Sequence, residues 1–167
     1  KKQDVIIVTL KAHSAALTAN LLKPLLKEDT IVVSAVNGLP WWYFYKSNDK
    51  FENFKLKTVD PKNLQWDTIE PKRAVGCVVY PAAEIKKPGF VYHMEGNRFP
   101  IGEPSGEITN RVKVLSKILI ESGLKSPVRK NIRSDIWMKL WGNLAFNPIS
   151  ALTGETLEEI TNNKKSC

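Results

Sequence analysis

Val5-Ile6-Ile7-Val8-Thr9-Leu10, the Ala/Leu-rich residues 14–22, and Thr30-Ile31-Val32-Val33-Ser34 form the stretch whose reading decides the fold. Both apolar runs are short, continuous and rich in β-branched residues, as in strands covered on both faces of a parallel sheet. The segment between them favours a helix, and Pro24 disturbs its end. Strand, helix and strand joined by short links make a βαβ unit, and hence a parallel sheet.

Working outward, Asn37-Gly38-Leu39-Pro40 is a turn signal. Residues 46–72 are polar, rich in Lys and Asn, and without a clear period, which predicts an irregular surface excursion. Residues 74–80 and 90–94 are β-rich with Pro88-Gly89 between them, and are expected to pair. Residues 98–101 suggest a short third piece. Residues 107–122 carry Ile108, Val112, Leu115 and Leu119 on one helical face, with Gly123 at the stop. Ser126-Pro127-Val128 reads as an extended link. Ser134 is expected to cap a third helix, with Asp135 in its first turn. Ile136, Leu140 and Leu144 give that helix an apolar face, and Pro148 marks a break or kink. Residues 156–160 begin another helix. The character changes from mixed α/β to helical near residue 128, so the domains are expected at 1–128 and 129–167.

The composition excludes several classes. The chain of 167 residues is 43% hydrophobic and 25% charged, which are globular values. Its net charge of +8 comes from 25 basic and 17 acidic residues. Most of the basic residues are lysines scattered through loops, which attract anions mildly and lack base-reading hardware, so no nucleic-acid partner is expected. The longest uncharged stretch, residues 30–45, contains Asn37, Gly38 and Pro40, so no membrane span is expected. Cys77 and Cys167 make neither a disulfide framework nor a zinc site, and this usage fits a reducing, cytoplasmic setting. His13 and His93 are far apart with no Cys/His spacing, so no metal site is expected. No P-loop, G-x-S-x-G or G-x-G-x-x-G occurs.

Three places could carry chemistry. Lys139, Asn143 and Asn147 recur every four residues along the third helix, on one side of it. An ammonium among the apolar neighbours Trp137, Leu140 and Trp141 is a competent proton donor, and two amides beside it could hold a carboxylate, hydroxyl or carbonyl. Spacing alone equally describes a snorkelling lysine beside surface asparagines. Asn37-Gly38 and Lys11 fall at carboxyl ends of strands, where open parallel sheets bind ligands. A plain turn and a solvated lysine are the alternatives. The block Trp41-Trp42-Tyr43-Phe44-Tyr45 could wall a pocket, serve a subunit contact, or pack a core.

Taken together, the segments resemble the ketopantoate reductase (2-dehydropantoate 2-reductase) family. The matching stretches are Asp4-Val5-Ile6-Ile7-Val8-Thr9-Leu10-Lys11-Ala12, Val36-Asn37-Gly38-Leu39-Pro40-Trp41-Trp42-Tyr43-Phe44, Val75-Gly76-Cys77-Val78-Val79-Tyr80-Pro81-Ala82-Ala83-Glu84-Ile85 and Ile101-Gly102-Glu103-Pro104. The most telling is Asn131-Ile132-Arg133-Ser134-Asp135-Ile136-Trp137-Met138-Lys139-Leu140-Trp141-Gly142-Asn143-Leu144-Ala145-Phe146-Asn147-Pro148 with its continuation to Thr153.

The resemblance implies an α/β fold: part of a Rossmann-type parallel sheet with helices, then the start of an all-α domain like that of 6-phosphogluconate dehydrogenase. It implies NADPH-dependent reduction of 2-dehydropantoate to (R)-pantoate, toward pantothenate and coenzyme A. By position Lys139 is similar to the family's proton donor, and Asn143 and Asn147 to its substrate-binding asparagines. Asn37 matches the residue shared by cofactor and substrate, and Lys11 and Ala82 match NADP contacts. A small 2-oxo acid is the implied partner, with a homodimer as the expected assembly. The family's Gly-rich loop and most of its helical C-terminal region have no counterpart, and residues 161–167 depart from the pattern. The chain is therefore expected to be an internal piece, inactive by itself. Another NAD(P)-dependent 2-oxo acid or β-hydroxyacid dehydrogenase is the nearest alternative, and a basic, non-enzymatic binding module the more distant one.

Overall fold

The computed structural model describes residues 1–162. The βαβ reading is realised as β1 (Val5–Val8), α1 (Ala12–Leu22) and β2 (Ile31–Ser34). β1 pairs parallel to β2, and β2 pairs parallel to β3 (Ala74–Cys77). β6 (Ile101–Gly102) closes the far side antiparallel, giving the order β1-β2-β3-β6. Helices cover both faces, so the architecture is a partial Rossmann-type α/β sheet. On one face Val8, Val32, Ala74 and Val78 pack with Ala15, Trp41, Trp42, Ile69, Ile132 and Ile136. On the other, Val33, Val75, Cys77 and Ile101 pack with Val112 and Leu115. Neighbouring strand residues thus serve opposite cores, which is why both runs are continuously apolar. α1 buries Ala15, Ala16 and Ala19, of which Ala15 packs in the core of the first face. β1 is the sheet's edge among the described residues, with Ile7 half exposed.

Two expectations about the strands and the surface excursion are corrected. Residues 74–80 do not pair with residues 90–94. β4 (Ala82–Lys87) takes that role, pairing antiparallel with β5 (Phe90–Glu95) in a separate hairpin. Two-residue closure at Pro88-Gly89 favours the nearer strand, while β3 is drawn into the buried parallel sheet by its apolar residues. Residues 46–72 are not wholly irregular. They contain α2 (Leu64–Ile69), which buries Gln65 and Ile69, and the Asp60 carboxylate accepts from the Gln65 and Trp66 amides at its start. The Asn and Lys content does appear as positive φ at Lys46, Asn48, Asn53, Lys62 and Asn63.

α3 (Asn110–Glu121) is capped by Thr109, which accepts from the Val112 amide. Arg111 on this helix donates to both oxygens of buried Glu103, and to the carbonyls of Lys72 and Ala74, tying α3 to β3 and to the segment after β6. α4 (Ile132–Thr153) follows, capped by Asn131 and not by Ser134, whose amide Asn131 receives. Asn at the N-cap position outcompetes a serine three residues later because the first free amides lie one turn ahead of it. α4 runs through Pro148 without a break. The carbonyl freed at Leu144 lies on an exposed stretch where water can take it. α5 (Leu157–Asn162) ends the described residues. Cys167 lies outside them.

Candidate functional site

β1, β2 and β3 are parallel, so their carboxyl ends open on the same side. The segments leaving them line one cleft of about 710 Å³. Thr9, Leu10, Lys11, Ala12 and His13 come from the β1 end, Ala35, Val36 and Asn37 from the β2 end, and Val79, Pro81 and Ala83 from the β3 end. Ile7, Val33, Cys77, Phe99, Leu119 and Leu124 complete an apolar lining. α1 begins at this cleft, with Lys11 at its N-cap and no acidic residue in its first turn. The helix dipole and the Lys11 ammonium therefore both favour an anionic group here. The cleft's volume lies in the usual range for small-molecule and cofactor pockets.

A small hollow adjoins the cleft. It is lined by Val36, Asn37, Gly38, Cys77 and Val78 from the sheet side and by Ile136, Lys139 and Leu140 from α4. Val36, Asn37 and Cys77 belong to both spaces. The chain turns at Gly38, whose φ of +91° suits glycine, and this presents Asn37 between cleft and helix. Lys139 sits two turns into α4, half-buried, with its Nζ 5.1 Å from the centre of the Tyr80 ring. A cation over an aromatic face is held by the ring's quadrupole.

The structure thus brings Lys11 and Asn37 to one cleft, and Asn37 and Lys139 to one hollow. Asn143 and Asn147 lie one and two turns further along α4, half-buried and exposed respectively, and neither lines that hollow. Ala82 begins β4 opposite Glu95, and its neighbours Pro81 and Ala83 face the cleft instead. Of the apolar neighbours expected to enclose Lys139, Leu140 lines the hollow with it, while Trp137 is 46% exposed and Trp141 71%. Of the aromatic block, Trp41 and Trp42 are core, and the Trp42 indole donates to Ser34 Oγ. Tyr80, whose ring faces Lys139, and His13, in the cleft lining, are not singled out by the sequence. Both follow strand ends, the same signal that singled out Lys11 and Asn37. Among the described residues, no cluster of three His, Cys, Asp or Glu could hold a metal.

The family model described as ketopantoate reductase PanE/ApbA matches residues 1–106. The chain belongs to the ketopantoate reductase family. A 2-dehydropantoate 2-reductase of Mesorhizobium japonicum is 51% identical over 158 residues, covering 95% of this chain and 48% of that protein. A crystal structure of a protein assigned as a ketopantoate reductase from Ralstonia solanacearum superposes with a TM-score of 0.94 at 35% identity, covering 99% of this chain and 51% of that one. D-mandelate dehydrogenase, in a ternary structure with NADH and anilino(oxo)acetate, shares the fold at 18% identity and a TM-score of 0.79, over 99% of this chain and 48% of that one. The chain spans about half the length of the relatives it matches. No helix among the described residues is long and apolar enough to cross a membrane.

Proposed function

We propose that this chain is the part of a cytoplasmic ketopantoate reductase that joins the cofactor cleft to the proton donor. Residues 1–128 belong to the NADP-binding domain, and residues 129–167 begin the helical substrate and dimerisation domain of a homodimer. The reaction is NADPH-dependent reduction of 2-dehydropantoate to (R)-pantoate, a step toward pantothenate and coenzyme A. The observation that carries this reading is the shared hollow of Asn37 and Lys139 beside a cleft at the carboxyl ends of three parallel strands.

A nicotinamide dinucleotide bound here would supply the hydride. Lys11 and the start of α1 would hold its anionic part, and the Ala82 backbone would add a contact. Asn37 lies between cleft and hollow, where one amide can meet both cofactor and substrate. As negative charge grows on the ketone oxygen, the Lys139 ammonium stabilises it and then donates its proton there. Asn143 and Asn147 continue the same side of α4, and hold the substrate's polar groups as it lies along the helix. NADP preference over NAD, and 2-dehydropantoate over other 2-oxo acids, are part of the proposal.

The test is NADPH oxidation by the complete gene product that carries this sequence, assayed with 2-dehydropantoate, with a panel of other 2-oxo acids, and with NADH. Lys139→Ala is expected to lower kcat by about 10²–10⁴-fold, the range for losing a positioned acid. Turnover near that of the unmodified enzyme would remove Lys139 from the role.

A further inference from the structure

Helix α4 is buried near its start. Its buried residues are Ile132, Asp135 and Ile136, while Trp137, Met138, Trp141, Leu144 and Leu152 are exposed. Arg133 stands in that first turn. Its Nε donates to the Tyr43 carbonyl at 2.7 Å, its Nη2 to the Tyr45 carbonyl at 2.7 Å and its Nη1 to the Pro104 carbonyl at 2.5 Å. The guanidinium lies against the rings of Trp42 and Tyr43, 6.0 and 5.6 Å from their centres. No carboxylate pairs with it among the described residues, unlike Arg73, Arg111 and Arg129. A half-buried cation with no direct ion pair, Asp49 acting on it only at a distance, costs stability, and what it gains here is geometric: a rigid planar fork spans three carbonyls at fixed angles.

Those carbonyls belong to two segments: the one that leaves the Asn37 turn, and the one after antiparallel β6, which lies beside the amino end of β3. Tyr43 and Tyr45 follow the turn that presents Asn37, and Pro104 follows β6. Trp137 adds a second tie, donating from its indole to the Tyr43 hydroxyl at 2.6 Å. Tyr43 stands six residues after Asn37, and Arg133 six before Lys139. The brace therefore ties the first turn of α4, two turns before Lys139, to the segment that leaves the Asn37 turn.

We propose that Arg133 is a positioning residue, whose fork sets the register of α4 against the Asn37 loop and so holds Lys139 at its hollow. This rests on the reading of Lys139 as proton donor. Lys139 lies ~9 Å along the axis from Arg133, so a tilt of about 6° at the first turn displaces it by ~1 Å. A displacement of that size is enough to lose about 10²-fold in rate.

The experiment is a double-mutant cycle in the complete gene product, read as kcat and KM for NADPH oxidation with 2-dehydropantoate. Arg133→Lys keeps the charge but cannot span three carbonyls. It is expected to lower kcat by about 10- to 100-fold while the KM for NADPH stays within about 2-fold, because the cleft is built from strand ends. In a Lys139→Ala background the same change is expected to alter the residual kcat by less than about 2-fold, since its effect runs through Lys139. An equal loss in both backgrounds, as general loosening of the fold would give, overturns the inference. Normal kcat in Arg133→Lys, with Lys139→Ala collapsed, overturns the inference alone. Normal turnover in Lys139→Ala overturns the proton-donor reading and this inference with it. Should Arg133→Lys fail to fold, Trp137→Phe replaces it. That variant loses only the tie to Tyr43, and is expected to keep its melting temperature and lose kcat several-fold; unchanged kcat overturns the proposal.

Discussion

Cys77 lies under both the cleft and the hollow that holds Lys139, and its environment shows how single residues differ here. Burial pushes its thiol up to about 12, because the thiolate would lose its hydration among apolar neighbours. Folding is thus favoured by the protonated thiol. That contribution is fully present below pH ~9, where an unfolded cysteine also keeps its proton, and is lost as the pH rises toward about 12. At pH 8–9 alkylation of Cys77 is expected to be at least about a hundredfold slower in the folded protein than in urea, because thiolate is the reactive species. Mass spectrometry of the Cys77 peptide reads this directly, and equal rates would contradict the buried placement. At this scale the sequence was informative where chemistry follows from position along a strand. Lys11 and Asn37 follow β1 and β2, and both reach the cleft. Asn143 and Asn147 were placed by helical spacing, which fixes a side of the helix but not what stands opposite it.

Among the elements, the junction of β3, β6 and α4 is the tightest. Gly76 and Gly102 are partners across the β3–β6 pair, and α4 starts directly over them. A Cβ at Gly102 would stand 2.5 Å from the Arg129 carbonyl oxygen and 2.9 Å from Ile132 Cβ. One at Gly76 would stand 2.8 Å from the Trp42 ring. The missing side chains are what let Ile132 and Trp42 seat on the sheet. Gly102→Ala is expected to destabilise the protein by about 1–3 kcal/mol, the usual cost of overpacking, since backbone must move to admit the methyl. A lower urea midpoint with an unchanged slope would register this. An unchanged midpoint would mean that α4 is not seated so closely. The periodicity of 107–122 and the spacing of Ile136, Leu140 and Leu144 are enough to foresee α3 and the core of α4. Neither could show that α4 passes through Pro148, because whether a freed carbonyl is affordable depends on solvent access.

For the molecule as a whole, the cleft is formed by three segments distant in sequence, so ligand and fold are linked. In the complete gene product, NADPH at about 100 times its dissociation constant is expected to stabilise the native state by about 2.7 kcal/mol, by mass action alone. A thermal shift series with NADPH, NADH and neither measures it. No shift with either dinucleotide would remove the cofactor reading. Lys11 and the open start of α1 favour an anion at this end of the sheet. The hairpin of β4 and β5 stands apart from the sheet, with Ile85, Val91 and Tyr92 exposed on it.

The order of apolar runs by itself determined the βαβ start, the parallel sheet, and a helical segment carrying Lys139, because these follow from local periodicity and chain connectivity. Only the tertiary structure decided which strand β3 pairs with, which asparagine shares a hollow with Lys139, and how far α4 is covered. Those outcomes depend on packing between residues far apart in the chain, where side-chain volume, burial and available hydrogen-bond partners choose among arrangements that the local pattern leaves equivalent.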